Sequence, residues 1–402
     1  MNIPEKIYCR AFQAVLHTAL PVLPYRKPKL LDSINEVPYL FRKKDIDCVL
    51  LITDPSIRRL GITRPLEDTL DKSGITCIVY DKTVANPTSN NVEAARQLFL
   101  KYHCQAIIGF GGGSSIDCAK ATGARIAKPR QKLSRMKGIL KVHKKLPLLV
   151  AIPTTAGTGS EATLAAVIVD SETRHKYPIN DFPLIPHYAV LDPEVTRSLP
   201  PHVTATTGMD ALTHAIEAYI GHSTTAETRA DATEAVRLIF ANLDRACRNG
   251  DDMKARRNML HAAYLAGSAF SKSYVGYVHA VAHSLGGKYN VPHGLANAVL
   301  LPHVLEAYGE AAHEKLAELA IAAGLVSRAE SAKDGAEAMI HAIQEMKLRL
   351  DIPDVIPEIQ EKDIPALARI AAKEANPLYP VPVLMNASQL EQFYYDVMEV
   401  SA

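Results

Sequence analysis

A chain of 402 residues with 48% apolar composition is too long for one ordinary core and suits two domains. Its 45 basic residues nearly balance its 43 acidic ones, so no global field draws it to nucleic acid or to an anionic membrane, and the absence of tryptophan argues against a base-stacking surface. The six cysteines (Cys9, Cys48, Cys77, Cys104, Cys118, Cys247) are scattered without a C-x-x-C pair, the usage of reduced thiols in a cytoplasmic protein and not of a disulfide framework or zinc ribbon.

In chain order, the apolar stretch Ala11–Leu23 follows Lys6 and Arg10 in the manner of a signal peptide, but His17 and Pro21 interrupt it and no cleavage site follows. It is also too short to span a bilayer, and reads as a helix packed on its own protein. From Cys48 to Pro193 short apolar runs alternate with helical periodicity. Strands are expected at Cys48–Asp54, Ile75–Asp81, Ala106–Phe110 and Leu148–Ile152, with helices to about Leu70 and over Asn91–His103. That alternation predicts a parallel sheet with crossover helices. Runs at Leu164–Asp170, Lys176–Ile179 and Tyr188–Leu191 add strands or a hairpin. After Pro200-Pro201 only alanine-rich helical segments follow. The expected organisation is an α/β dinucleotide-binding domain over 1–200, with a helical extension at 1–45, and an all-helical domain over 201–402, with a ligand cleft between them.

Between Lys128 and Lys145 lie Arg130, Lys132, Arg135, Lys137, Lys141 and Lys144 with no acid. This is read as a solvated loop ahead of the next strand, the alternative being an anion-binding patch.

Gly111-Gly112-Gly113-Ser114 leaves a strand and opens a helix, so backbone N–H groups and the positive helix end point at the turn. A pyrophosphate suits that place, as does a plain tight turn, since the run lacks the G-x-G-x-x-G spacing. Pro153-Thr154-Thr155-Ala156-Gly157-Thr158-Gly159-Ser160-Glu161 also follows a strand and offers hydroxyls from Thr154, Thr155 and Thr158 to phosphate or ribose oxygens. It is not the G-x-S-x-G elbow of a hydrolase. Asp54 ends the first strand, where a carboxylate accepts from a ribose 2′-hydroxyl and repels a 2′-phosphate, favouring NAD over NADP; an aspartate opening a turn before Pro55 is the other reading.

Asp210 and His214 stand at i, i+4 in Gly-Met-Asp-Ala-Leu-Thr-His, and His279 and His283 repeat the spacing in an apolar helix, with His293 following in Val-Pro-His-Gly. Imidazole and carboxylate without thiolate suit Fe(II), Zn or a similar divalent ion, set against a purely structural hydrogen-bond network. Three neutral imidazoles with one carboxylate leave net positive charge on such an ion. Spacing alone makes His283 a ligand as well.

Taken together, the Gly-Gly-Gly-Ser turn with its following Asp117, the Pro-Thr-Thr-Ala-Gly-Thr-Gly-Ser-Glu loop, Thr-Gly-Met-Asp-Ala-Leu-Thr-His-Ala-Ile-Glu and the span from Phe270 to His293 resemble the iron-containing alcohol dehydrogenases. The resemblance implies an N-terminal dinucleotide-binding domain, an all-helical metal domain, and hydride transfer between an alcohol and nicotinamide C4. It implies Asp210, His214, His279 and His293 as metal ligands and moves His283 off the metal, to a place near nicotinamide and substrate. It implies cofactor contacts from Asp54, Asn86, Gly112, Gly113, Ser114, Asp117, Thr154, Thr155, Thr158 and Lys176. A small alcohol or aldehyde is the implied substrate, and a homo-dimer or higher homo-oligomer the implied assembly. Glycerol dehydrogenases and dehydroquinate synthases share this layout and are the competing enzymes; a nucleotide-binding regulator is the non-enzymatic alternative. The first forty or so residues extend beyond the family's usual start, and Phe270, Tyr274 and Tyr277 flank the site as candidates for shaping its pocket.

Overall fold

A computed structural model describes residues 1–327 and 331–399. Its contacts divide the chain into two compact units, one of Pro24–Leu199 and one of Met1–Leu23 with Pro200–Ala402.

The extension expected at 1–45 with the α/β domain is therefore corrected: it splits. Helix α1 (Ile3–Ala19) starts at an Asn2/Glu5 capping box and belongs to the helical unit. The reason is specific polar contact. Arg10 donates to the carbonyls of Val381 and Pro382, and buried Gln13 donates to those of Pro377 and Tyr379. The remainder of the extension, with β1 (Lys29–Leu31) and α2 (Val37–Arg42), is part of the sheet unit.

The sheet unit continues through β2 (Cys48–Ile52), α3 (Pro55–Arg59), α4 (Arg64–Lys72), β3 (Thr76–Tyr80), α5 (Ser89–Lys101), β4 (Ala106–Gly111), α6 (Gly113–Ala127), β5 (Gly138–Ile139), β6 (Leu148–Pro153), β7 (Ala165–Val169), β8 (Lys176–Asn180) and β9 (Tyr188–Val190). Six strands form a parallel sheet in the order β1-β9-β6-β4-β2-β3. Alternation of side chains splits its core in two. Leu50, Ile52 and Ile107 pack against Val92, Phe99, Cys118 and Ala119, while Val49, Leu51, Ile108 and Phe110 pack against Phe41, Leu66 and Leu70. Each buried Val, Leu, Ile or Phe among them contributes about 1.5–3 kcal/mol. The smaller sheet is the antiparallel β7–β8 hairpin extended by β5.

The topology positions the first half of the site. From β2 the chain moves to β3 on one side and then to β4 on the other, so the carboxyl ends of β2 and β4 border a switch point, where open α/β sheets bind ligands.

The basic stretch 128–145 is mostly loop, with a short helical turn at Leu133–Met136 and the two-residue β5. Buried Arg125 holds it by donating to the carbonyls of Lys128 and Gln131. In the helical unit α7 (Pro201–Ile220), α8 (Ala226–Arg248), α9 (Met253–Ser273), α10 (Tyr277–Tyr289), α11 (His293–Tyr308), α12 (Glu310–Ala322), α13 (Ala332–Arg349), α14 (Ile364–Ala375) and α15 (Ala387–Asp396) follow one another. Among the described residues this unit holds no strand, and no helix of the chain is long and apolar enough to cross a membrane.

Candidate active site

The glycine turn and the hydroxyl loop lie at the ends of adjacent strands β4 and β6, and the backbone N–H of Thr154 donates to the Gly111 carbonyl at 3.0 Å. A Cβ on Gly112 would stand 3.6 Å from the Thr155 side chain, and one on Gly113 only 2.9 Å from that of Thr158. The space that glycine leaves open between the two loops is a cradle lined by backbone N–H groups and hydroxyls, at the start of the fifteen-residue helix α6. These residues fit a pyrophosphate.

Asp54 does two things. Its Oδ1 caps α3, accepting from Ser56 and Ile57 N–H at 2.9 and 3.1 Å, while Oδ2 lies 3.5 Å from the Ser115 hydroxyl beside the glycine turn. The reading of this aspartate as the opening of a turn before Pro55 is thus met by the cap on α3. Asn86 and Lys176 join the same edge: Lys176 Nζ donates to Asn86 Oδ1 at 2.7 Å, and the Asn86 N–H lies 3.4 Å from Ser114 Oγ.

Asp117 is different. Its two oxygens accept from the Ser160 hydroxyl at 2.7 Å and the Val167 N–H at 2.9 Å, and burial raises its pKa. Both oxygens are engaged inside the protein, so the geometry gives this residue the work of tying α6 to the hydroxyl loop and β7. Buried Lys120 adds to that seam by donating to Thr163 O, Thr163 Oγ1 and Ala165 O.

The second constellation lies in the helical unit. Asp210 and His214 face one way from α7, His279 from the start of α10, and His293 is the first residue of α11. One ligand atom from each of these four falls within 4.8 Å of all the others. Asp210 Oδ1 stands 3.9 Å from His214 Nδ1, 4.0 Å from His279 Nε2 and 3.4 Å from His293 Nε2. The first three residues are buried.

Burial pushes the His214 imidazole down to about 4 and, with help from neighbouring His293, holds His279 well below its ordinary value. Both rings are thus neutral, the form that binds metal. Burial works to raise the Asp210 carboxyl, yet His214, His293 and His279 with the Asn297 amide hold it below the usual carboxylate range. His214 Nδ1 is buried without a hydrogen-bond partner, a desolvation cost that a cation at the centre removes. The donor set and this orphaned nitrogen fit Fe(II) or Zn.

His283 is not one of these four. Its Nδ1 is 2.6 Å from Glu374 Oε1, which also accepts from the Tyr379 hydroxyl at 2.7 Å, and its ring stacks on His293 at 5.1 Å. Phe270 stacks on His214 with ring centres 4.2 Å apart, and Tyr274 holds a backbone φ of 63° at the end of α9. Tyr277 is fully buried, its hydroxyl held between Asn376 and the Met385 backbone.

Three residues that sequence reasoning passed over complete the surroundings. Glu217 Oε2 meets His279 Nδ1 at 2.5 Å. Asn297 Nδ2 lies 2.7 Å from Asp210 Oδ1, 3.2 Å from His279 Nε2 and 3.1 Å from His293 Nε2. Glu374 holds His283. The first two carried a signal, since Glu217 follows Asp210 by seven positions and Asn297 follows His293 by four, each on its ligand's helix face. Glu374, 91 residues from its histidine, carried none.

Residues 31–193 match the family described as iron-containing alcohol dehydrogenase, and residues 204–398 match the C-terminal part of the Fe-containing alcohol dehydrogenase family. The first of these matches begins at residue 31. The 1,3-propanediol dehydrogenase of Citrobacter freundii is 41% identical over 331 residues, 81% of this chain and 85% of that one. The NAD-dependent methanol dehydrogenase of Bacillus methanolicus is 35% identical over 344 residues, covering 85% and 90%. Among solved structures, a 1,3-propanediol oxidoreductase superposes with a TM-score of 0.89 at 36% identity, over 93% of this chain and 99% of that one. The glycine turn, the hydroxyl loop and all four cation-directed side chains fall inside the matched spans, and by that agreement of sequence, fold and donor set the chain belongs to the iron-containing alcohol dehydrogenase family.

Proposed function

We propose that this chain is a metal-dependent, NAD-linked dehydrogenase that interconverts a primary or secondary alcohol, or a small diol, and its aldehyde or ketone. The observation that carries the reading is the convergence of one carboxylate and three imidazoles within 4.8 Å, in a family whose relatives bear dehydrogenase names. A divalent ion, Fe(II) or Zn, supplies a Lewis acid for the alcohol or carbonyl oxygen, and NAD supplies the hydride acceptor. Asp210, His214, His279 and His293 hold the ion. Gly112, Gly113, Ser114, Thr154, Thr155 and Thr158 receive the pyrophosphate and ribose, with Asn86 and Lys176 at the same edge. Asp54 takes the ribose hydroxyls and disfavours the 2′-phosphate of NADP. His283, oriented through Nδ1 by Glu374, offers Nε2 to substrate and relays its proton. A cytoplasmic setting and a homo-dimer or higher assembly belong to the same reading, the first supported by six free cysteines and the second by the family alone.

The test is a panel of alcohols, 1,3-propanediol and methanol among them, assayed by NADH formation with metal-stripped and Fe(II)-reloaded protein. We expect turnover only after reloading, and His279→Ala to lose metal content and activity together while NAD still binds. Full turnover by His279→Ala ends the metal assignment. Turnover of a substrate without net NADH points instead to the lyase chemistry of the dehydroquinate synthases, and NAD binding without any turnover to a regulator.

A further inference from the structure

Four side chains can hold a cation only if something fixes their direction, and behind His279 stands a buried carboxylate outside the ligand set. Glu217 lies on α7, three residues beyond His214 and on the same face. It is 3% exposed. Its Oε1 accepts from the Val278 N–H at 2.8 Å, and Oε2 accepts from the Gly276 N–H at 2.8 Å and meets His279 Nδ1 at 2.5 Å.

Gly276 is the N-cap of α10 and has no side chain to cap with. Glu217 does that work from another helix, satisfying N–H groups that α10 leaves unpaired and setting negative charge at its positive end. The close approach needs glycine, because a Cβ at 276 would stand 2.7 Å from Glu217 Oε1. Both carboxylate oxygens are already accepting backbone N–H groups, so the group that completes the set is a ring N–H on His279 Nδ1. That tautomer leaves the lone pair on Nε2, the atom 4.0 Å from Asp210 Oδ1 in the cluster.

We propose that Glu217 is a positioning residue of the metal centre, which locks His279 in its metal-binding tautomer and holds the ring in place by capping the helix that carries it. The proposal rests on reading the Asp210–His214–His279–His293 cluster as a metal centre. It also changes the charge account of that centre. A second carboxylate one hydrogen bond behind the ion brings the formal sum of a divalent cation, Asp210 and Glu217 to zero, where the four ligands alone leave it positive. A carboxylate in that place raises the basicity of its histidine and tightens its hold on metal.

The experiment strips metal from the full-length protein and titrates it with Co(II), reading affinity by competition with a chromophoric chelator, geometry by the visible d–d bands, and melting temperature with and without the ion. Glu217→Gln keeps the shape and one acceptor oxygen but turns an amide N–H toward a donor. We expect it to bind Co(II) about 10–100-fold more weakly, with altered d–d bands and a smaller metal-induced rise in melting temperature. A merely structural role lowers the melting temperature of both forms alike and leaves affinity and spectrum unmoved, and that result overturns the proposal. Should Glu217→Gln not fold, Gly276→Ala, which keeps the carboxylate and displaces it, is read for the same loss, and wild-type affinity there overturns it equally. Wild-type protein that binds no Co(II) sinks the metal-centre reading together with this one, whereas tight wild-type binding matched by both variants sinks this one alone.

Discussion

His187 shows how a residue with no part in the chemistry acquires a pH dependence from its surroundings. Its Nδ1 accepts from the Leu149 N–H, where β6 begins, and burial, with Arg26 and Lys145 nearby, pushes its pKa down to about 4. The unfolded chain binds this proton more readily than the folded one, so stability is complete above the ordinary histidine value of about 6.5 and declines as pH falls toward 4. Thermal melts across that window will show the decline, and His187→Asn, whose Oδ1 accepts the same bond without titrating, will flatten it. The same contrast of type and surroundings runs through the site. Asp54, Asp117 and Asp210 are one residue type, yet one caps a helix beside the switch point, one is consumed by internal hydrogen bonds, and one faces three imidazoles. Their distance from glycine turns or histidines along the chain was legible; the direction of each carboxylate was not, because direction follows from which donors the packing brings within 3 Å.

Elements explain why the glycine turn and the hydroxyl loop face each other at all. Strands β2, β4 and β6 are neighbours in one parallel sheet, so three loops separated in sequence leave the sheet at one edge. Alternating apolar runs and the glycine and threonine stretches announced those loops, and the strand positions read from sequence agree with the structure to within about two residues. The cradle depends on the missing Cβ at residue 113. Gly113→Ala places a methyl 2.9 Å from Thr158 and closes the space between the loops. We expect NAD affinity to fall about tenfold or more, a loss near 1.4 kcal/mol, measured by calorimetric titration, with metal content at the wild-type level. Unchanged NAD affinity would place the pyrophosphate elsewhere. In the helical unit the i, i+4 pairs announced two helix faces, while the i+7 place of Glu217 was equally regular. It was passed over because a glutamate at the end of an apolar helix segment looks like an ordinary solvated charge until α10 is laid against it.

At the scale of the whole molecule the least expected feature is the return of the first helix to the far end of the chain. Arg10 and Gln13 bind carbonyls more than 360 residues away, at Pro377, Tyr379, Val381 and Pro382. Tyr379 in turn holds Glu374, and Glu374 holds His283, so the N-terminal helix braces a segment that reaches the site. Replacing both Arg10 and Gln13 by alanine strips partners from part-buried carbonyls at about 1–3 kcal/mol each. We expect a lower melting temperature with NAD affinity intact, since the loops proposed to hold the nucleotide belong to the other unit; a loss of NAD binding with no change in melting would contradict this.

Sequence by itself determined what is local. Short apolar runs and period-three-to-four patterns specified most strands and helices, though not β1 or β5, the double proline marked the end of the α/β part, and the motif residues named the four side chains that converge in the helical unit. Tertiary structure alone decided that α1 bonds to the segment 377–382 near the other end of the chain, that Asp117 is spent on internal bonds, that His283 meets Glu374, and that Glu217 and Asn297 stand against the four converging side chains. The physical reason is range. Backbone geometry repeats over a few residues and leaves its period in the sequence, whereas the partner of a buried polar group is chosen by whichever distant element packing sets beside it.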